Sequence, residues 1–408
     1  MLLNKGVHRV MDAITLEVMR NRFFAITEEM GAALIRTAYS TNIKDRRDCS
    51  CALFNVNGDT IAQAEHIPVH SGVLPWGVKG ALKYVDKASL KPGDAIMHND
   101  PFIGGTHLPD IIIFSPIFYQ GQLVAFVGNL AHHVDVGGKV PGSLTPDATE
   151  IFHEGIRFPP VKIKKSGVVD PEIYGMFQAN IRTGYESGGD LMAQIAANNV
   201  GEKRFEELCG EMGVETVLEA ITELENYCDR RMAAELEKLP AGTFTFEDSL
   251  EGDGVTTTEP LKIRATVTTG GPHIKIDFTG TCPQVTGPLN CVRPMALACI
   301  YYVVRAMTDP SIPPNSGTFK RFEVITPEGS LVNAVYPAAT GSGNSITCQR
   351  LVDVLIGALA QAVPEKACAA ACGSMNGIQL GGYSPKTHSY FANGETVGGG
   401  YGGMWDQD

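Results

Sequence analysis

Apolar residues recur at helical spacing near the start of the chain. Between positions 12 and 40, Ile14, Val18, Phe23, Ile26, Met30, Leu34 and Ile35 follow the interval of one helix face, and Asp12 stands where an N-cap is wanted. The spacing predicts a long helix that delivers the chain to Asp45, Arg46, Arg47 and Asp48. Short apolar runs at 51–54 and 60–64 flank Asn57-Gly58, the pair best suited to the positive φ angles of a type I′ turn, and predict a hairpin. A stretch rich in Gly, Pro, His and Asp follows, read as loops framed by short strands at 95–97, 111–114 and 123–127. The last two extend into a second expected hairpin, 111–119 with 122–128, about Gln120-Gly121.

Helical spacing returns over 190–239, with breaks expected at 198–201 and at Gly213, and many Glu and Lys on solvated faces. After Pro240-Ala241-Gly242 the period falls to two, and strands are expected at 243–246, 261–268 and 273–278. Helices follow at 292–307 and 347–363, the second stopped by Pro364. The glycine-rich tail holds Asn393-Gly394, read as the turn of another hairpin. The expected fold class is α+β (mixed α/β): a β-rich, loop-bearing N-terminal domain with long helices over 1–240, then a second mixed α/β domain over 241–408. The second is expected to be incomplete, because a glycine-rich turn ending at an acid-flanked Trp405 normally leads into another element.

Composition narrows the function classes. With 33 Lys+Arg against 45 Asp+Glu the net charge is −12 over 408 residues, which argues against a nucleic-acid binder working through a general basic surface. A hydrophobic fraction of 44% and a charged fraction of 19% describe a globular chain with a sizeable core, not a disordered one. The N-terminus lacks the apolar run and cleavage site of a secretory signal. The longest wholly apolar run, 295–304, is far short of the roughly 20 residues of a spanning helix. Ten cysteines without a CxxC pair suit reduced thiols, and the expected location is cytoplasmic, with no membrane and no nucleic acid as partner. Cys368 and Cys372, four apart, are spaced to share a helix face.

The histidines are unevenly placed. Seven of the ten (His66, His70, His98, His107, His132, His133 and His153) fall within 66–153, where an even spread would put about two. His107 and Asp110 precede the strand at 111, and His132, His133 and Asp135 follow the strand at 123, so closing the second hairpin brings its two open ends together. Imidazoles and carboxylates converging on loops at strand ends suit a divalent cation such as Zn²⁺, Mn²⁺ or Fe²⁺, and two of each would nearly neutralise it while leaving a position for water. Spacing alone does not choose between Asp45 and Asp48, and histidines in such loops also serve merely to hold turns. There is no G-x-x-x-x-G-K-[ST] phosphate loop and no G-x-S-x-G elbow, so any ATP used must be bound by a partner.

At these residues the chain resembles the hydantoinase B/oxoprolinase family. The matching stretches are RDCSCALFNVNGDTIAQAEHIPVHSG (47–72), NDPFIGGTHLPDI (99–111), AHHVDVGG (131–138), EIFHEGIRFPPVKI (150–163), DFTGTCPQVTGPLN (277–290) and ETVGGGYG (395–402). The resemblance implies one divalent metal, Zn or Mn, on Asp48, His107, Asp110 and His132 of an N-terminal metal domain. It implies a hydantoinase A-type ATPase subunit as partner, which consumes ATP and phosphorylates a cyclic amide or ketone enolate. The phosphorylated intermediate then passes to this subunit for hydrolytic ring opening. His70 and His133 are candidates for proton transfer or for holding the phosphate, on proximity, and are equally suited to orienting the ligands. The runner-up is a subunit of an ATP-dependent ketone carboxylase of the acetone or acetophenone type. A third reading is a non-catalytic scaffold with a structural metal.

Overall fold

The computed structural model describes residues 11–64 and 66–404. Trp405, Glu65 of the AEHIPVHSG stretch and the first ten residues of the N-terminal stretch read for a secretory signal lie outside them. Helix α1 (Ala13–Thr37) is capped as expected: the Asp12 carboxylate accepts from the Ile14 and Thr15 amides at 3.1 and 3.0 Å. Its buried stripe is Met19, Phe23, Ile26, Met30 and Leu34, whereas Ile14 and Val18, expected on the same face, are 79% and 45% exposed. A short α2 (Thr41–Lys44) turns the chain into strands β1 (Cys49–Phe54) and β2 (Thr60–Ala64). Their connection corrects the expected type I′ turn. Only Gly58 has a positive φ, and the Asn55 side chain accepts from the amides of Asn57 and Asp59, so the loop over 55–59 is organised by Asn55.

Helix α3 (Pro68–Ala81) replaces what the sequence suggested was loop; an internal Pro75 and several glycines blur its period. Strands β3 (Ala95–His98), β4 (Asp110–Tyr119), β5 (Gln122–His132), β6 (Val161–Lys165) and β7 (Val168–Val169) follow. The Gln120-Gly121 turn forms as expected, with both residues at positive φ and Tyr119 paired with Gln122. An antiparallel sheet in the order β2-β1-β5-β4-β3-β6-β7 results.

Helices α4 (Pro171–Asn180), α5 (Gly184–Met212) and α6 (Val214–Leu236) complete this region. The break expected at 198–201 is absent. Gly201 allows close packing, since a Cβ there would lie 2.4 Å from Met30 Sδ, and Asn198 donates to the Ile113 carbonyl at 3.2 Å. Both residues make α5 fit the sheet instead of ending it. Gly213, at φ 82°, does end it.

Strand alternation puts a core on each side of the sheet. Cys49, Cys51, Leu53, Val127 and Ala131 join the apolar cluster with α1, α5 and α6; Ala52, Phe54, Phe126 and Leu130 pack with Val73, Leu74 and Val78 of α3. Beyond it, β8 (Gly242–Leu250), β9 (Leu261–Thr269), β10 (Ile274–Asp277) and β11 (Phe322–Ile325) form a second sheet, ordered β11-β10-β9-β8 with β10 and β11 parallel. Helices α7 (Arg293–Met307) and α8 (Cys348–Leu359) pack between the two sheets, the latter preceded by a π-helical turn at Gly343–Thr347. Position 240 lies between α6 and β8, and one apolar cluster continues from α1 across it to α7 and α8. Strands β12 (Asn376–Ser384) and β13 (Ser389–Val397) form a separate hairpin. Asn393-Gly394 lies inside β13, and the turn is at 385–388, where His388 has a positive φ. The expected shared helix face of Cys368 and Cys372 does not form, because 368–372 is not helical. All ten cysteines are free, and no helix among the described residues is long and apolar enough to cross a membrane.

The second region meets the first at α3 and α7, among other contacts, and this approach is close at Gly72, where a Cβ would lie 2.4 Å from Ala298 Cα. Gly72→Ala is expected to destabilise the chain by about 1–3 kcal/mol through overpacking. Gly175→Ala, in α4 with open space around it, is expected to stabilise by about 0.5–1 kcal/mol. Urea unfolding of both variants checks the contrast. A second expectation concerns Glu202 on α5. Burial, partly offset by Lys164 and a Ser115 hydrogen bond, lifts its pKa from the ordinary 4.5 to about 7. The native state therefore holds the proton more tightly than the unfolded chain, and this contribution is full below pH 4.5 and lost as pH rises through 7. Thermal unfolding should show Glu202→Gln more stable than wild type at pH 8 and little different at pH 4.

Candidate metal centre

The register of one hairpin builds the site. Asp110 opens β4 and pairs directly with His132, which closes β5. His107 lies one turn earlier, fixed by the Asp110 amide donating to its carbonyl at 3.1 Å. On the other flank, β1 pairs with β5, so that Asp48 meets the same end and its carbonyl accepts from the His132 amide at 3.0 Å. Ligand-capable atoms of His107, Asp110 and His132 all lie within 4.8 Å of one another. Asp48 stands beside this trio rather than in it, with Oδ1 3.8 Å from Nε2 of His70, which α3 brings in from above.

Each imidazole is held from behind. His107 Nδ1 donates to the Gly341 carbonyl at 3.0 Å, leaving Nε2 3.4 Å from Asp110 Oδ2. The Asn42 amide lies 3.2 Å from His132 Nδ1, and the Ser50 hydroxyl lies 3.1 Å from His70 Nδ1. Oriented rings with one nitrogen turned to a common centre are the arrangement metal-ligating histidines show. Asp110 is 1% exposed; Thr106 donates to its Oδ2, while its Oδ1 is buried with no protein partner among the described residues. A buried carboxylate oxygen without a partner, set among imidazoles, fits a cation.

The electrostatics divide these groups. Burial works to raise the Asp110 pKa, but His107, then His132 and His70, hold it well below the usual carboxylate range. Burial works to lower His107, yet the Asp110 carboxylate lifts it to about 9. His132 is pushed down to about 4 and His70 is also lowered, in both cases first by burial, so both present neutral rings with a lone pair. Asp48 is raised by burial, with His70 opposing and Asp110 adding to the rise. The centre thus joins one firmly ionised carboxylate to the neutral rings of His132 and His70, with His107 paired to that carboxylate.

These groups form the floor of a cavity of about 890 Å³. Its walls come from α3, α7, α8 and the β12–β13 hairpin, with Ile67, Val69, Ile346, Val352 and Ile356 among the apolar lining. Arg46 is the one Lys or Arg on the wall among the described residues. Its Nη1 donates to Asn42 Oδ1 at 3.1 Å and to the Gly394 carbonyl, tying the hairpin to the centre.

Other histidines of the rich window go elsewhere. His133 points to the opposite side of the sheet, with Nε2 2.9 Å from Gln194 Oε1 and its ring on Phe177, away from the cavity wall. His66 packs on Gly31 of α1, His98 is fully buried, and His153 lies near Glu150 at 3.7 Å. Sequence reasoning missed Gly341 and Asn344, whose Nδ2 is 3.3 Å from His107 Nε2, as well as Arg46 and Glu154. No local spacing signals a partnership across more than 200 positions.

Comparison with known proteins gives the family and the fold. The B component of a putative D-/L-hydantoinase from a Pseudomonas species is 33% identical over 97% of this chain and 69% of its own length. The crystal structure of the ATP-dependent caprolactamase from Pseudomonas jessenii superposes with a TM-score of 0.85 at 32% identity, over 95% of this chain and 66% of that one. Acetone carboxylase shares the fold, with a TM-score of 0.83 at 19% identity over 95% of this chain and 54% of that one. With residues 12–408 matching it as a whole, the chain belongs to the hydantoinase B/oxoprolinase family.

Proposed function

We propose that this chain is the metal-dependent hydrolytic subunit of an ATP-dependent cyclic-amide hydrolase. The observation that carries the reading is the convergence of His107, Asp110 and His132, with the unpartnered Asp110 oxygen, on the floor of a cavity of about 890 Å³ in a member of this family. A divalent ion, Zn²⁺ or Mn²⁺, held by these three and Asp48 would supply Lewis acidity there. The chain's own residues do the rest. Asp110 and Asp48 set the charge of the floor, and the Gly341, Asn42 and Ser50 contacts aim the rings.

His70 is the better placed of the two proton-transfer candidates, since it lines the cavity with a neutral ring whose Nε2 faces Asp48. His133 supports the strand end from behind through Gln194. Arg46 offers the wall's cation to an anionic group such as the phosphate of an activated substrate. The sequence has no phosphate loop, in keeping with ATP being consumed on a hydantoinase A-type partner and the phosphorylated cyclic amide being handed over. Ten free thiols suit a cytoplasmic location.

Elemental analysis of the purified chain should find about one equivalent of Zn or Mn. In Asp110→Asn and His107→Ala the content should fall at least tenfold while circular dichroism and Tm report a folded chain; unfolding of both variants would support a scaffold with a structural metal instead. Reconstituted with its ATPase partner and given ATP, the complex should open a hydantoin, oxoproline or lactam ring. Incorporation of labelled bicarbonate into a carboxylic acid from a ketone would overturn the hydrolytic reading in favour of the carboxylase one.

A further inference from the structure

One peptide stands between the centre and a carboxylate deep behind it. Glu154 is fully buried, and its side chain accepts from the Gly341 amide at 2.7 Å through Oε1 and from the Thr340 amide at 3.1 Å through Oε2. Gly341 then presents its carbonyl to His107 Nδ1 at 3.0 Å. The rest of this loop is tied elsewhere, by the Ser342 amide to the Pro288 carbonyl and by the Gly343 amide to the Thr340 carbonyl. Beside the two contacts that the loop makes with His107 itself, through the Gly341 carbonyl and the Asn344 side chain, Glu154 is the side chain that holds the Thr340 and Gly341 amides. The fit is close, because a Cβ on Gly341 would lie 2.9 Å from Glu154 Oε1.

We infer that Glu154 is a positioning residue for His107: its carboxylate clamps the Thr340 and Gly341 amides, and the Gly341 carbonyl so held fixes the imidazole with Nε2 toward Asp110. The physical reason is that a lone backbone carbonyl on a glycine loop is a mobile acceptor, whereas two hydrogen bonds to one buried side chain hold it in one place. This rests on reading His107 as a metal ligand. Outer groups that orient a ligating histidine contribute to metal affinity even though they never touch the ion.

The test titrates Mn²⁺ into the metal-free full-length chain, following free Mn²⁺ by electron paramagnetic resonance, with thermal unfolding of the metal-free protein alongside. Glu154→Gln keeps the shape but sets an amide N–H against the Thr340 N–H. It should weaken Mn²⁺ binding by about ten- to a hundredfold with the metal-free Tm within a few degrees of wild type. Gly341→Ala disturbs the same contact from the loop side, should weaken binding in the same direction, and decides the matter if Glu154→Gln does not fold. Unchanged Mn²⁺ affinity in the folded variants, with or without a fall in Tm, would overturn the inference and leave Glu154 a structural residue. If the wild-type chain takes neither Mn²⁺ nor, in competition, Zn²⁺, the metal reading of the centre itself fails, which is a distinct result.

Discussion

A carboxylate at 1% exposure is the constraint around which this chain is arranged. Asp110 sits at the start of a central strand, where burial would force it to protonate unless positive or polarisable groups surround it. The fold answers with His107 one turn away, His132 directly across the ladder and His70 from α3. One oxygen still has no protein partner among the described residues. The surrounding imidazoles supply the favourable charge that burial of this carboxylate demands, which links the stability of the sheet end to the groups gathered there.

The same constraint explains why so many elements meet at one end of the large sheet. Adjacent strands β4, β5 and β1 bring Asp110, His132 and Asp48 side by side, because antiparallel registers place the end of one strand beside the start of the next. The second region then closes over the site through small residues. Gly72 lets α3 reach α7, and the loop at 340–344 touches both nitrogens of His107. The Gly341 carbonyl on Nδ1 leaves this imidazole little rotational freedom while Nε2 stays toward Asp110, which is the preorganisation that a ligand or catalytic ring requires.

Family membership gives this arrangement a chemical context. The proteins this chain resembles are named as a putative hydantoinase component and a caprolactamase, and its cavity combines apolar walls, a polar floor and one arginine. Acetone carboxylase has the same architecture at low identity and speaks to the fold alone. Chemistry on a shared fold is decided by the groups lining the site, which is why the cavity residues matter more than the superposition.

Much of this was legible in the sequence, and the legible part was local. Periodicity located α1, the Gln120-Gly121 hairpin and the strands after Gly242, since each depends on neighbours within a few positions. Crowding of histidines and the His-x-x-Asp spacing pointed to the window from which the hairpin register brings His107, Asp110 and His132 together. Where tertiary packing overrode local preference, the sequence misled. Asn198 and Gly201 sit inside a continuous helix because the sheet and α1 press against them, and Asn393-Gly394 runs through a strand. Of two adjacent histidines, strand alternation sends His132 to the cavity and His133 to the far side, and only the pairing of β5 tells which is which. Thus the sequence by itself determined the residue types, their spacing and the hairpin that gathers them. The tertiary structure alone decided which ring faces the centre, and that Glu154 and Gly341 hold it there, because contacts between segments some 200 residues apart leave no periodic trace in the chain.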